Sequence, residues 1–527
     1  MVTKSFTLHG RRLPREIQEE AERIAEIARS EGLDFFPTIF EMLSTEQISQ
    51  VAAYGGFPKR YPHWRFGMEY ERLRKQHKYG LGRIYEMVIN TDPCYAYLLD
   101  DNAMVDHKTV IAHVYAHCDF FKNNVWFSKT NRRMMDEMAN HATRIHRYID
   151  RYGLEEVEKF IDTALALENL IDPHSAFMRR EPVRMRKENK KKKEERKEAP
   201  AKFPAKSYMD RYINPPDKLA EETEAREQKK SREKAAFPGK PTRDVLLFLL
   251  QHAPLEDWQA DVLATIREEA YYFAPQAQTK IMNEGWASYW HSALMTQYIL
   301  RDHELIDYCE HHSGTLATSP GRLNPYKLGI ELFRDIEHRW NTGRYGPEYD
   351  SCDDMTTRRE WGNDKTPQGR IVGKGSPGRE KIFQVRALYN DVTFLDEFLT
   401  PEFVEDQDLY HYRMDPTTGR MVVVNRDFNK IKQQMLFMLT NHAQPYIYVI
   451  DGNYHNRGEL CLGHRHVGAD LDIKYAIATL KELHKIWKRP VHVMARIDDA
   501  PFMFSFDGEQ SSQQQIDESI PEPAHSV

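Results

Sequence analysis

The segment NEGWASYWH, residues 283–291, lies in a run of apolar residues that is typical of a buried helix. Glu284 and His291 are seven residues apart, so two helical turns place their side chains on the same face. A carboxylate and an imidazole are costly to bury among large aromatic side chains unless another group pairs with them. The segment therefore predicts either an acid–imidazole pair that fastens two helices or one half of a metal site.

A second predicted helix supplies the matching half of such a site. His113 and His117 are four residues apart in an apolar segment, so both imidazoles lie on one helix face. With the carboxylate and imidazole of the first segment, they give three nitrogens and one carboxylate, which suits Zn²⁺ or another divalent metal. We therefore predict a metal site made by His113, His117, Glu284 and His291.

This histidine pair differs from a zinc peptidase motif at one position. In H-E-x-x-H the glutamate beside the first histidine is the general base, but this chain has Val114 there. Glu284 is the candidate catalytic residue, either as a third ligand or as the base, and Asp119 is a candidate to orient an imidazole. A chain with 23 histidines also contains such pairs by chance, so a purely structural role for His113 and His117 stays open.

Two further histidine clusters are weaker candidates. His464 and His466 lie two residues apart in a predicted strand, where one face presents both to a metal or a phosphate, although a structural role at the strand end is favoured. Residues 310–312, Glu-His-His, lie in a charged amphipathic helix, which predicts a solvent-exposed face. The chain has no Walker loop, dinucleotide fingerprint or G-x-S-x-G elbow, so nucleotide-dependent and serine-hydrolase functions lack sequence support.

Length and composition limit the class of protein. A chain of 527 residues predicts two or three domains. Its formal net charge of -6 gives no general attraction to nucleic acid or to anionic membranes. No apolar run approaches the roughly 20 residues of a membrane span, and five scattered cysteines without C-x-x-C spacing favour a reducing compartment. The expectation is a cytoplasmic protein with no nucleic-acid partner and no membrane span.

The order of the segments predicts an α+β fold, with a mainly α-helical N-terminal and central domain and a smaller α+β C-terminal domain. Residues 14–179 form a helical N-terminal part with a short hairpin, and residues 241–400 form a helical part that completes the site. Residues 180–240 are a charged insertion or linker, in which a solvated segment is favoured over a nucleic-acid arm. Residues 401–508 form the α+β C-terminal domain, and residues 509–527 form a disordered tail.

Local patterns predict individual elements within this layout. Ser44 and Gln47 have the spacing of a helix capping box. Residues 84–99 read as two strands around a Thr-Asp-Pro turn, which predicts a hairpin. In the C-terminal part, residues 459–465 predict a strand and residues 473–487 a helix.

Four separated motifs in this order resemble those of the stage V sporulation protein R family, SpoVR. The motifs are Tyr61-Pro62-His63-Trp64, residues 117–124 (HCDFFKNN), residues 282–291 (MNEGWASYWH) and residues 324–329 (NPYKLG). The resemblance extends from about residue 33 to residue 493, and the charged insertion is its least typical part.

The resemblance implies a cytoplasmic bacterial protein. It links some members to spore cortex formation and relatives in non-sporulating bacteria to stationary-phase or starvation responses. It also implies a PrkA-type serine kinase and a protein with a von Willebrand-like domain as partners. It transfers no catalytic activity and no catalytic residue to this chain.

Two functional hypotheses follow. In the first, the protein is a hydrolase that depends on Zn²⁺ or another divalent metal and acts on a peptide or amide bond. In the second, it is a non-catalytic regulatory or scaffold protein that partners the kinase, and the histidine and aromatic motifs only build a rigid helical core. The distance of Glu284 from His113 and His117 discriminates between the two hypotheses.

Overall fold

The computed structural model shows the α+β fold that the sequence predicts. It describes residues 11–78, 86–177, 209, 215, 237–362, 373–517 and 519–522. The chain divides into two compact units, the first made of residues 1–158 and 271–443 and the second of residues 159–270 and 444–527. Most of the charged insertion predicted at residues 180–240 lies outside the described residues.

In chain order the elements begin with α1 (Arg15–Ser30), β1 (Thr38–Leu43), α2 (Thr45–Ala53), α3 (Trp64–Lys78), β2 (Glu86–Ile89), β3 (Cys94–Leu99), α4 (Met104–Asn123), α5 (Met134–Tyr152) and α6 (Leu154–Leu165). They continue with α7 (Val245–His252), α8 (Asp257–Gln278), α9 (Lys280–Leu294), α10 (Leu305–Leu316), α11 (Pro325–Thr342), α12 (Pro347–Asp350), α13 (Met355–Glu360), α14 (Pro377–Leu388), α15 (Asp391–Phe398) and α16 (Pro401–Asp406). The last elements are β4 (His411–Met414), β5 (Met421–Asn425), α17 (Phe428–Leu439), β6 (Tyr446–Tyr454), β7 (Glu459–Arg465), α18 (Ile473–Trp487), β8 (Val491–Ile497), β9 (Ala500–Phe506) and β10 (Ser511–Gln515).

Helix α9, which carries the segment NEGWASYWH, lies at the centre of the first unit. It packs against α4 on one side and against α11 on another, and Trp286 and Trp290 are fully buried. Gly285 of α9 and Gly329 of α11 allow the second contact, because a Cβ at either position would collide with the backbone of the other helix. Two of the sequence motifs are therefore joined at a close helix crossing.

A three-stranded sheet lies beside these helices in the order β1-β3-β2. The antiparallel pairing of β2 with β3 confirms the predicted hairpin. Strand β1 adds to it as a parallel neighbour of β3, with Thr38 opposite Cys94. A separate two-stranded sheet, β4 with β5, also belongs to the first unit.

The second unit contains a five-stranded sheet in the order β10-β9-β8-β7-β6. Strands β7 and β8 are parallel, whereas the other neighbours are antiparallel. Helix α18 packs against β8 and β9, and helix α7 packs against β6. The apolar side chains of α18 that face the sheet, such as Leu480 and Leu483, are buried.

Two expected boundaries differ from the structure. Residues 401–443, assigned from sequence to the C-terminal domain, belong to the first unit. The disordered tail expected at residues 509–527 contains strand β10, in which Ser511 lies opposite Phe506 of β9. A polar strand can form here because it pairs through its backbone and its side chains remain exposed.

Candidate metal centre

Helix α9 is held in place at its beginning and in its middle by two buried carboxylates. Asp391 accepts hydrogen bonds from the backbone N–H groups of Ile281 and Met282, at 2.8 and 2.9 Å. These are donors that the first turn of a helix cannot satisfy internally. Asp119 of α4 accepts a hydrogen bond of 2.8 Å from the indole of Trp286. The first contact fixes α9 against the start of α15, and the second fixes it against the end of α4.

Three of the four predicted ligands converge between these helices. Oε2 of Glu284 lies 3.8 Å from Nε2 of His113 and 3.6 Å from Nε2 of His117. All three ligand atoms lie within 4.8 Å of one another. The side chains are 8, 7 and 14% exposed for His113, His117 and Glu284. Within the described ranges, no other three histidine, cysteine or acidic side chains are grouped this closely.

The hydrogen bond of its second ring nitrogen determines the tautomer of His117. Nδ1 of His117 lies 2.9 Å from Oδ1 of Asn283. Because an amide oxygen only accepts hydrogen bonds, Nδ1 carries the proton and donates it. The neutral ring then directs the lone pair of Nε2 toward Glu284, which is the form that binds a metal.

His291, the fourth predicted ligand, lies behind His113 rather than among the three converging atoms. Its Nδ1 is 2.9 Å from Nδ1 of His113, and its Nε2 is 3.1 Å from Nδ1 of His312. The three imidazoles form a hydrogen-bonded chain that ends at the partly exposed His312. Within the solvent-exposed face predicted for residues 310–312, His312 is therefore only partly exposed and contacts His291.

Burial and the repulsion of neighbouring imidazoles keep His117 and His291 neutral. Burial lowers the pKa of His117 to about 4, and the neighbouring His113 lowers it further than Glu284 raises it. The pKa of His291 is well below its usual value because the ring is buried and surrounded by other imidazoles. Burial raises the pKa of Glu284, but the imidazoles and the ammonium of Lys280 lower it more, to about 2. At neutral pH the carboxylate of Glu284 therefore lies beside the uncharged ring of His117.

Two residues that the sequence did not single out also belong to the centre. Tyr326 of α11 stacks near His113, with ring centroids 6.4 Å apart, and its phenol is hydrogen-bonded to Glu284. Glu86, at the start of β2, interacts electrostatically with His113 and Glu284, and burial raises its pKa. Tyr326 lies in the NPYKLG motif, which was a signal for it. Glu86 is a single acidic residue at a strand end outside the four motifs, so no sequence pattern pointed to it.

Asp119 does not orient an imidazole as predicted. Its carboxylate instead accepts hydrogen bonds from the backbone N–H of Asp34 at 2.8 Å and from Trp286, and Nη1 of Arg386 lies 3.1 Å from Oδ1. The reason is helical spacing, because two residues after His117 the side chain points to a different side of α4. Asp119 is a structural junction of the helices.

The histidine pair of the second unit lacks this convergence. The rings of His464 and His466 lie on β7 and just beyond it, with centroids 6.3 Å apart. His466 turns to Asp470, whose Oδ1 lies 2.9 Å from its Nε2. In the described part of the chain these residues are not among the groups of three or more side chains that could hold a metal.

The comparisons with known proteins place the chain in a family. It matches the family described as SpoVR like protein over residues 12–444 and the SpoVR-like C-terminal domain over residues 445–497. The chain therefore belongs to the SpoVR family, as its motifs predict.

A relative from Escherichia coli (strain K12), described as "Uncharacterized protein YcgB", is 26% identical over 494 residues, which is 89% of each chain. No solved structure matches the chain. Among the described residues, no helix combines the length and apolar character that crossing a membrane would need.

Proposed function

We propose that this SpoVR family member is a metal-dependent hydrolase in which His113, His117 and Glu284 bind Zn²⁺ or another divalent metal. The spacing of the ligand atoms carries the proposal. Ligand atoms about 2.0–2.1 Å from a tetrahedral Zn²⁺ are roughly 3.3 Å apart, and the two nitrogen–oxygen separations here are 3.6 and 3.8 Å. These separations exceed the roughly 2.9 Å of a direct N–H···O hydrogen bond, so a shared ion accounts for them better.

The donor atoms also fit such an ion chemically. Two neutral imidazoles and one carboxylate are a ligand set of catalytic zinc sites, which keep a fourth position open. The low pKa values of His117 and Glu284 keep both in their metal-binding forms at neutral pH. When bound, the metal lowers the pKa of a coordinated water to near neutrality, which supplies a nucleophile for cleavage of a peptide or amide bond.

The surrounding side chains have separate tasks in this proposal. Glu284 is the catalytic residue through its role as third ligand, and the phenol of Tyr326 orients its carboxylate. Glu86 then takes the position of proton acceptor, because it is the other carboxyl group at the centre and burial raises its pKa, which makes it a stronger base than an exposed carboxylate. In this arrangement Glu86 takes the general-base role of the glutamate in the zinc peptidase motif, because this chain has Val114 at that position.

His291 supports the centre from outside. Its Nδ1 contacts His113 and its Nε2 contacts His312, so we propose that it accepts the Nδ1–H of His113 instead of serving as a fourth ligand. An outer partner of this kind fixes the tautomer and orientation of a ligating imidazole.

Metal analysis of the purified protein tests the proposal. We expect about one equivalent of divalent metal by inductively coupled plasma mass spectrometry, and its loss in His117→Ala. His303→Ala, a change at an exposed histidine of the same unit, is the matched control and should keep the metal. A wild type without stoichiometric metal, or a His117→Ala variant that retains it, would refute the site.

The role of Glu86 has its own test. Glu86→Gln should retain the metal but lower hydrolysis of p-nitrophenyl acetate by about 100-fold, the lower range of a lost general base. A metal-loaded variant as active as the wild type would show that Glu86 accepts no proton.

Family membership suggests the cellular setting of this activity. We propose a cytoplasmic role in spore cortex formation or, in an organism without spores, in the stationary-phase or starvation response, with a PrkA-type kinase and a von Willebrand-like domain protein as partners. Co-purification of the kinase with the wild type and with Glu284→Gln separates the hypotheses. Equal recovery of the kinase would show that partner binding is independent of the metal centre.

A further inference from the structure

A cavity of about 640 Å³ lies in the first unit, apart from the metal ligands. Its walls are the loop of residues 318–323, the first turn of α11, residues 407–413 and one side of α17. Cavities of roughly 300–1,000 Å³ bind ligands of drug-like size. This one is therefore large enough for a small organic molecule.

The charged side chains of the lining are mainly cationic. Arg322, Lys327 and Arg413 line the cavity, whereas Asp408 is the one acidic residue among the described residues that line it. Within the part of the chain that the structure describes, none of these three cations has a side-chain hydrogen bond or an ion pair. Three unpaired cations around one cavity favour an anionic ligand.

The same cavity has an apolar component. Leu323, Val424 and Met438 line it and remain 38, 50 and 44% exposed. Large apolar side chains grouped at a concave surface are typical of a binding site. Tyr410 and the buried Met435 extend this surface inward.

We propose that this cavity binds a small amphipathic anion, a molecule with one carboxylate, phosphate or sulfonate group on an aromatic or aliphatic body. The cations bind the charged group, and the apolar lining covers the body. This assignment does not depend on the metal centre.

The proposal also gives a task to a motif residue that the metal centre does not use. In the NPYKLG motif, Asn324 caps α11, Tyr326 faces the metal centre and Gly329 contacts α9. Lys327 follows Tyr326 by one residue, which rotates its side chain by about 100° around the helix, and it lines the cavity. The first turn of α11 therefore places Tyr326 at the metal centre and Lys327 at the cavity.

Two fluorescent dyes of similar shape test the charge requirement. 8-Anilinonaphthalene-1-sulfonate carries a sulfonate, and N-phenyl-1-naphthylamine has the same ring systems without it. We expect the wild type to bind one equivalent of the sulfonate dye. Lys327→Gln and Arg413→Gln should each weaken that binding by about fivefold, the upper range for an exposed charge pair, and leave the neutral dye unaffected.

Variants of α17 provide the control and the second test. Lys430→Gln removes an exposed cation of the same helix that does not line the cavity, and it should bind both dyes like the wild type. Gln434→Trp fills the cavity from an exposed position, and it should weaken both dyes by about tenfold. Circular dichroism verifies that each variant is folded.

Three outcomes would overturn the proposal. A wild type that binds no sulfonate dye has no such site. Binding that is unchanged in Lys327→Gln, Arg413→Gln and Gln434→Trp places the dye elsewhere. Equal losses of both dyes in the two charge variants show that the cavity does not recognise an anion. Arg413 is exposed on the β4–β5 hairpin, so its variant remains informative if Lys327→Gln fails to fold.

Discussion

Asp119 and Glu284 are both largely buried carboxylates of the first unit, but their neighbours are of opposite kinds. Asp119 receives four donors, from the backbone of Asp34, the indole of Trp286, the guanidinium of Arg386 and the amide of Asn123. Glu284 instead faces the ring nitrogens of His117 and His113, at 3.6 and 3.8 Å. The first carboxylate is surrounded by donors, whereas the second also faces the lone pair of Nε2 of His117.

The difference separates a structural acid from a ligand. Buried polar groups are normally hydrogen-bonded, and a buried charge is normally paired. The oxygen of Glu284 and the lone pair of Nε2 of His117 repel each other unless a cation lies between them. Burial alone therefore does not mark a functional carboxylate, but burial against acceptors does.

The largest expected effect is on stability when Asp119 is removed. Asp119→Ala leaves the guanidinium of Arg386 buried without its partner, and such a loss costs about 3–5 kcal/mol. Denaturant unfolding of the metal-free protein measures it. Asp136→Ala, which breaks an exposed pair with Arg133, should change the free energy of unfolding by less than about 1 kcal/mol. Equal effects of the two variants would show that Asp119 is not a junction.

Glu284→Gln should instead weaken metal binding strongly and change the stability little. Loss of a direct ligand is expected to weaken metal binding by more than the roughly 100-fold that outer partners contribute, and isothermal titration calorimetry with Zn²⁺ measures this. The metal-free variant should lose little stability compared with Asp119→Ala, because the amide can still accept a hydrogen bond from Tyr326 and the largely exposed Lys280 does not need a partner. Unchanged Zn²⁺ affinity together with a large loss of stability would make Glu284 structural like Asp119.

The third prediction concerns the helix crossing that brings Tyr326 to Glu284. Gly329→Ala inserts a methyl group against the backbone of α9, and overpacking of this kind costs about 2 kcal/mol. Thermal unfolding measures the loss. Gly314→Ala in α10 is the matched control, since nothing lies within 4 Å of its added Cβ, and it should stabilise the helix slightly. A Gly329→Ala variant as stable as the wild type would contradict the close crossing.

Periodic patterns and turn signals predicted the individual elements well. Strand β7 and helix α18 have the predicted bounds, and Ser44 with Gln47 forms the expected capping box. Strand β1 was missed, because its parallel partner β3 lies more than 50 residues later in the chain. Strand β10 was missed because polar residues carry no alternating apolar pattern.

In the candidate site, too, the sequence predicts what depends on one element and misses what depends on contacts between elements. The spacing of His113 and His117 is a property of one helix, so the sequence shows that they share a face. The direction of the His291 ring depends on side-chain torsions and on His312 from another element, so spacing alone does not predict its contacts. Glu86 reaches the centre from a strand, and only tertiary packing brings it there.

The smallest expected effect is on the pH dependence of stability, to which His117 and Asp119 should contribute with opposite signs. His117 has a pKa of about 4 when folded and about 6.5 when unfolded, so the unfolded chain binds more protons between these values. The contribution of His117 to the free energy of unfolding therefore falls as the pH falls from 6.5 to 4. Asp119 has the opposite sign, because burial raises its pKa to about 6 from a usual value of about 3.9, and its contribution falls as the pH rises through that range.

Replacing His117 should isolate its share of this dependence. Between pH 7 and 5.5 the metal-free wild type should lose about 1 kcal/mol more stability than His117→Gln. That difference depends little on the folded pKa, because a ring with a pKa near 4 remains neutral at pH 5.5. Chelator-treated protein is needed, since bound metal adds its own proton linkage. His303→Gln should follow the wild type, and parallel curves for His117→Gln and the wild type would mean that His117 is protonated in the folded protein and therefore is not preset to bind a metal.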